Sequence, residues 1–215
     1  MSINTIETHV LEMIGESTSS PDVFTDTDTG MEPIRDSIND AIEEISMLTG
    51  SYKLQYHVPL VQDQGFYRLR LTNGSIGWIT DVFQVNRKYQ LSQTDEWKLT
   101  NDNPRWMVNN GDPAEYLQIG NDVLGVVPRP SGTSDVLEVT MVAIPARYSS
   151  GTDRLKLRDA FKWAVVHYAV SEYWASRGDA FSAMDHYKKY VQLLGIQSLY
   201  PQSAERVPYY KTAKQ

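Results

Sequence analysis

The residues of this 215-residue chain suited to proton transfer or metal ligation are four histidines and twenty-seven carboxylates, and there is no cysteine. Without a thiol the chain has no Cys-ligated zinc or iron–sulfur site, no thiol nucleophile and no redox switch. His9, His57, His167 and His186 stand apart in the sequence. His167 and His186 fall on neighbouring predicted helices, where they can meet, but no carboxylate or third ligand is spaced to join them, so packing is the favoured reading. Asp26-Thr-Asp28-Thr-Gly30 has the form of a calcium-loop opening, yet Ser37 stands where the twelfth-position Glu belongs. Glu43 and Glu44 are adjacent on a predicted helix and point in different directions, which suits a solvated face better than a general acid/base pair. Neither a phosphate-binding loop, a zinc-protease motif nor a nucleophile elbow occurs. The expectation is a protein that is not an enzyme, with no catalytic, cofactor or metal residue.

Aromatic residues are the other candidates. Trp78, Trp97, Trp106, Trp163 and Trp174, with Tyr168 and Tyr173, could stack on sugars or bases, though helical spacing such as Trp163 to Tyr168 more often marks core or subunit contact. Tyr187-Lys-Lys-Tyr190 interleaves base and ring, but two lysines are a weak phosphate signal. The balance of 20 basic and 27 acidic residues gives a net charge of −7, a poor match to a broad nucleic-acid surface. Residues 1–50 hold eleven acids and only Arg35 as a base, a net −10, and the remainder is mildly basic. No apolar run approaches the roughly 18–20 residues of a membrane span, and the start lacks the basic-then-apolar order of a signal peptide. The chain is expected to be soluble and unprocessed.

The elements that must position these residues follow from periodicity. Ile3, Ile6, Val10, Met13 and Ile14 mark a helix over 3–14 stopped by Gly15. Residues 16–30 are turn formers and acids, and read as a loop. Ile34, Ile38, Ala41, Ile42, Ile45 and Leu48 give one apolar face to a helix over 33–49, and Asp36, Asp40, Glu43 and Glu44 form its acidic side. From Tyr52 the period changes to two, with strands expected at 52–60, 65–71, 77–86, 106–108, 115–119, 123–127 and 136–145, separated by turn chemistry such as Asn109-Asn-Gly-Asp-Pro. Helical period returns after Ser149-Ser-Gly-Thr-Asp. One helix, capped by Thr152 or Asp153, is expected to run through Leu157, Phe161, Ala164, Val165, Tyr168, Ala169 and Tyr173 to Gly178. A second, capped by Asp179, carries Phe181, Met184, Tyr187, Val191 and Leu194 inward and stops at Gly195. The last twenty residues, 196–215, lack periodicity and read as an extended arm.

The expected fold is α+β. Helix pairs from residues 1–50 and 150–195 pack as a four-helix bundle, because each helix is apolar on one side only. Residues 51–149 form an inserted antiparallel sandwich or barrel-like lobe.

The chain resembles the head-to-tail adaptor (neck) proteins of tailed bacteriophages, of the kind with a β-rich insertion between helices. The stretches that carry the likeness are Ile38-Asn-Asp-Ala-Ile-Glu-Glu-Ile, Val58-Pro59-Leu60, Leu91-Ser-Gln-Thr-Asp-Glu-Trp97 with Pro104-Arg-Trp106, Gly111-Asp-Pro-Ala-Glu-Tyr116, Leu124-Gly-Val-Val-Pro128-Arg-Pro130, Val139 to Pro145, and Ala164-Val-Val-His-Tyr-Ala169 to Gly178-Asp179 with Tyr187-Lys-Lys-Tyr190. The resemblance implies a structural virion protein that assembles in the host cytoplasm as a ring, usually twelve-fold, beneath the portal protein. Such a ring supports stopper or tail proteins and lets DNA pass without specific binding or contact with a membrane. It implies that the arm reaches the portal through Tyr200, Arg206, Tyr209 and Tyr210. Physical reasoning adds that an acidic wall made of Asp36, Asp40, Glu43 and Glu44 would face the channel, where it repels phosphate, or a neighbouring subunit. The competing expectation is a β module of a phage tail structure that binds a carbohydrate or receptor.

Overall fold

The computed structural model describes residues 2–15 and 32–199. It divides into two compact units, one built from residues 2–15, 32–51 and 145–199 and the other from 52–144. The loop expected over 16–30 and the Asp26/Asp28 sequence lie outside the described residues.

In the helical unit, α1 (Ile3–Ile14) buries Ile3, Ile6, Val10, Leu11 and Ile14, and ends on Gly15, whose φ of 80° donates its N–H back to the last turn. The second helix, α2 (Glu32–Thr49), buries Ile34, Ile38, Ala41, Ile42 and Ile45, whereas Leu48, expected on the same face, is exposed at the helix end. Glu7 on α1 is only 4% exposed, and the Arg35 Nε of α2 donates to it at 2.7 Å, so the one base of the acidic start neutralises an acid that is buried. The helix expected to begin near residue 154 instead begins at Lys162, after a 3₁₀ turn at Asp159–Phe161. Residues 149–158 are a loop because their backbone has another task. The carbonyls of Asp153 and Gly151 accept from the Ile3 and Asn4 N–H groups at 2.9 and 2.8 Å, satisfying donors that α1 leaves open at its start. The loop is anchored further at Tyr148. Its N–H donates to Asn39 Oδ1, its carbonyl accepts from Asn39 Nδ2, and its hydroxyl accepts from the Lys156 N–H at 2.7 Å.

The fourth helix, α4 (Lys162–Ser176), buries Ala164, Val165, Val166, Ala169, Val170 and Ser171, a set that covers most of its circumference. It packs on α1, α2 and α5 (Ala180–Leu199), whereas α5 packs chiefly on α4. Asp179 caps α5 as expected, its carboxylate accepting from the Ser182 N–H at 3.1 Å. The helix continues through Gly195 to Leu199, so the stretch 196–199 is helical rather than part of an arm. The rotation of α5 also differs from expectation. Tyr190 is its buried residue at 1% exposure, and Phe181, Met184, Tyr187 and Val191 are exposed.

The β unit holds two four-stranded sheets and does not close into a barrel. In the first, β10 (Val136–Ile144) lies between β1 (Lys53–Pro59) and β3 (Ser75–Gln84), with β4 (Tyr89–Gln90) outside β3. These pairings are antiparallel, and register shifts after Thr140 and Val142 bring Met141, Val142 and Ala143 all into buried positions. The second sheet runs β2 (Phe66–Arg68), β8 (Val123–Val127), β7 (Glu115–Ile119), β5 (Ser92–Gln93), and its β5–β7 pair is parallel. A short parallel pair joins β6 (Asn110–Gly111) to β9 (Arg129–Pro130). Leu137, Val139 and Met141 share one core with Tyr67, Tyr116, Leu124 and Val126. The far face of the second sheet carries a smaller cluster of Leu99, Trp106, Leu117 and Val127. Covered on both faces, β8 is an unbroken apolar run rather than an alternating one. Within it Gly125 is required by space, since a Cβ there would lie 2.5 Å from Leu117 Cδ2.

Two local readings change. Trp106–Val108 is a 3₁₀ turn, not a strand, and α3 (Glu96–Asp102) is a short helix that periodicity missed. It is started by Asp95, whose carboxylate accepts from the Lys98 N–H at 2.8 Å.

Leu124 is fully buried at the centre of the common core. Leu124→Ala is expected to cost about 2–5 kcal/mol, read as a fall in denaturant midpoint at unchanged m-value. An unchanged midpoint would show that the two sheets do not share this core.

Candidate functional site

The helical unit brings together some of the residues that sequence marked for chemistry. His167 on α4 and His186 on α5 meet, their Nδ1 atoms 3.0 Å apart, so one ring donates and the other accepts. Burial lowers the pKa of both below the ordinary histidine value. For His167 the charge on His186 and then that on Lys189 add to the effect, for His186 that on Lys189, and Asp185 opposes it in each case. The pair is therefore neutral at pH 7 and ties the two helices. Among the described residues, no group of three or more His, Cys, Asp or Glu is placed to hold a metal ion. His9 does different work: its Nε2 lies 2.7 Å from Lys162 Nζ, its ring lies 5.0 Å from that of Trp163, and its Nδ1 is 3.1 Å from Glu12, which ties α1 to α4.

The acidic side of α2 is divided by its partners. Arg147 bridges Asp36 and Asp40, reaching Asp36 at 3.3 Å and hydrogen-bonding Asp40. Glu44 turns inward and accepts from the Tyr190 hydroxyl at 2.9 Å. Burial foremost, then the Glu44 carboxylate, raises the pKa of Tyr190 and pushes that of Tyr168 up to about 12, so both phenols stay protonated as donors. Glu43 alone of the four is exposed with no ion pair among the described residues. The continuous acidic wall read from sequence is thus one bridged pair, one carboxylate used for packing and one free charge. Tyr200, Arg206, Tyr209 and Tyr210 lie outside the described residues.

Sequence reasoning missed the surface that α5 presents. Phe181, at 85% exposure, lines up with Met184, Lys188 and Val191 on the side away from α4. A groove of about 340 Å³ runs beside this stripe, between the end of α4 and the start of α5, lined by Glu172, Ala175, Ala183, Met184 and Tyr187. A cluster of bulky apolar side chains left in solvent marks an interaction surface. The available signal was the small inward set Ala183, His186 and Tyr190, which shares the helical period with the larger residues.

In the β unit the tryptophans separate. Trp106 is buried against Phe66 and Leu99, while Trp97 stands 77% exposed on α3. Trp163 and Trp174 belong to the helical unit, and the burial of Trp106 takes it out of any exposed stacking surface.

A family model described as SU10 adaptor protein matches residues 1–211 of the chain. No curated protein matches it.

The histidine pair predicts a pH response. Because both folded-state values are lowered, the unfolded chain binds protons that the folded pair resists, so this contribution is complete above the ordinary histidine value of about 6.5 and is lost as pH falls below it. The thermal midpoint should fall between pH 7.5 and pH 5, and His186→Gln should flatten the slope. Equal slopes in both proteins would show that the pair is not responsible.

Proposed function

Because the chain belongs to the SU10 adaptor protein family, a family of structural phage adaptors, we propose that it is the head-to-tail adaptor of a tailed phage. It assembles in the host cytoplasm, joins a twelve-fold ring beneath the portal protein in the virion neck, and supports stopper or tail proteins while DNA passes through. The work is assembly, not catalysis. The family match over nearly the whole chain is the observation that carries this reading.

The physical chemistry supports it in two ways. The exposed α5 stripe is a cost to a protein that stays alone and a resource to one that assembles. The net charge of −7 keeps a duplex mobile rather than gripped. In this reading both chain ends build the bundle and the β unit is an insertion in it. Residues 200–215, with Tyr200, Arg206, Tyr209 and Tyr210, supply the portal contact through rings and a cation. The side of α2 bearing Asp36, Asp40 and Glu43 faces the channel or the next subunit, while Glu44, grouped with them by sequence, is taken up by Tyr190 inside the protomer.

Co-expression with a portal protein tests the reading. The full-length chain should co-purify with portal as a ring of defined copy number by native mass spectrometry, and failure to associate would refute the adaptor role. Truncation after Leu199 should leave a cooperatively folding protein that no longer attaches. Undiminished attachment would show that the arm is not the anchor.

A further inference from the structure

We propose that neighbouring copies meet through two different surfaces of the helical unit, the outward stripe of α5 on one copy and the exposed end of α2 on the next. This inference rests on the ring reading and names the contact within it.

The first surface is Phe181, Met184, Lys188 and Val191. Their spacing of three, four and three residues places them on one line along a helix. Met184 is 55% and Val191 49% exposed, because α5 turns Ala183, His186 and Tyr190 toward α4. The second surface is the last two turns of α2. Ile42, Ile45 and Ser46 face inward there, leaving Glu43, Met47 and Leu48 outside, with Leu48 at 67% exposure. α4 packs on both helices, so α2 and α5 each keep one side against it and one side free.

Charge selects the pairing. Most carboxylates near these surfaces are engaged inside the protomer: Asp36 and Asp40 by Arg147, Glu44 by Tyr190, Asp185 by Lys189 at 2.7 Å. Each apolar stripe keeps one exposed charge with no ion pair among the described residues, Glu43 on α2 and Lys188 on α5. The signs are opposite. With Glu43 against Lys188, Met47 lies four residues along α2, about 6 Å. On α5 that distance meets Met184 if the helices run antiparallel and Val191 if they run parallel, so apolar meets apolar either way. A two-fold contact of α5 with itself would bring Lys188 toward Lys188, which like-charge repulsion opposes. Contact between unlike surfaces is head-to-tail, the kind that closes into rings.

The cysteine-free sequence makes the test direct, since any introduced thiol is unique. Met47→Cys chains are mixed with Met184→Cys chains in one assembly and with Val191→Cys chains in another, each with portal under mild oxidation. Disulfide-linked dimers are expected in one of the two mixtures, according to helix direction, and not in any variant alone. Glu43→Lys or Lys188→Glu should each reduce ring-incorporated chain roughly tenfold, and the two reversals combined in one chain should restore it. Circular dichroism of each free variant separates loss of fold from loss of contact. Rings of full copy number that show no mixed cross-link, or a double reversal no better than the single ones, overturn this contact and leave the ring standing. Cross-linking of Met184→Cys with itself overturns it in favour of a two-fold dimer. A wild-type chain that forms no ring with portal overturns the ring reading and this inference together.

Discussion

α4 is buried around most of its circumference between Ala164 and Ser171. Ala164, Val165, Val166, Ala169 and Val170 are buried, and a helix apolar around most of its circumference is stable only when other elements surround it. That requirement organises the helical unit. α1 and α2 come from one end of the chain and α5 from the other, and each supplies a covering side to the same helix. The polar contacts between these helices hold that cover in place. The His167–His186 pair ties α5, the His9–Lys162 contact ties α1, and Tyr190 reaches past α4 to Glu44 on α2. Each is a hydrogen bond worth about 1 kcal/mol net, small beside the apolar burial it orients.

Much of this was legible in the sequence. The apolar period gave α1 and α2 almost to the residue, and the buried positions Ile38, Ala41, Ile42 and Ile45 follow from spacing alone. The change of period at Tyr52 holds, and six of the seven strand candidates hold as β1, β2, β3, β7, β8 and β10. What escaped has physical causes. α3 is too short for a period and is announced only by its Asp95 cap. Residues 154–158 look helical by period, but the turn before them is held by the open N–H groups of α1, which take the carbonyls of Gly151 and Asp153, and that is tertiary information. The face of α5 escaped because the side it buries, Ala183, His186 and Tyr190, is less apolar than the Phe181, Met184 and Val191 side it exposes. Spacing identifies a stripe but not which stripe the neighbour covers.

The candidate site was legible in composition and hidden in its pairing. Four carboxylates on α2 read as one acidic wall, yet Arg147 lies 107 residues from Asp40 in the chain, a distance no local reading spans. The same applies to Glu44 and Tyr190, 146 residues apart. Local patterning gives the inventory of charges, and long-range packing decides which of them remain free for a partner.

The separation of those partners also bears on how the protein is made. Asn39 and Tyr148, joined by two hydrogen bonds, are 109 residues apart, whereas the β unit is one uninterrupted stretch from 52 to 144. Loop closure over such a span carries an entropic cost that local contacts do not. During synthesis α1 and α2 emerge first, and they wait with their apolar sides uncovered until α4 leaves the ribosome. The β unit can complete its core in that interval, and doing so brings Tyr52 and Ala143 into a hydrogen bond of 2.9 Å. This shortens the loop that α4 must close from about a hundred residues to about twenty. Closure of the β unit's own core thus shortens the span that the helical unit has to close.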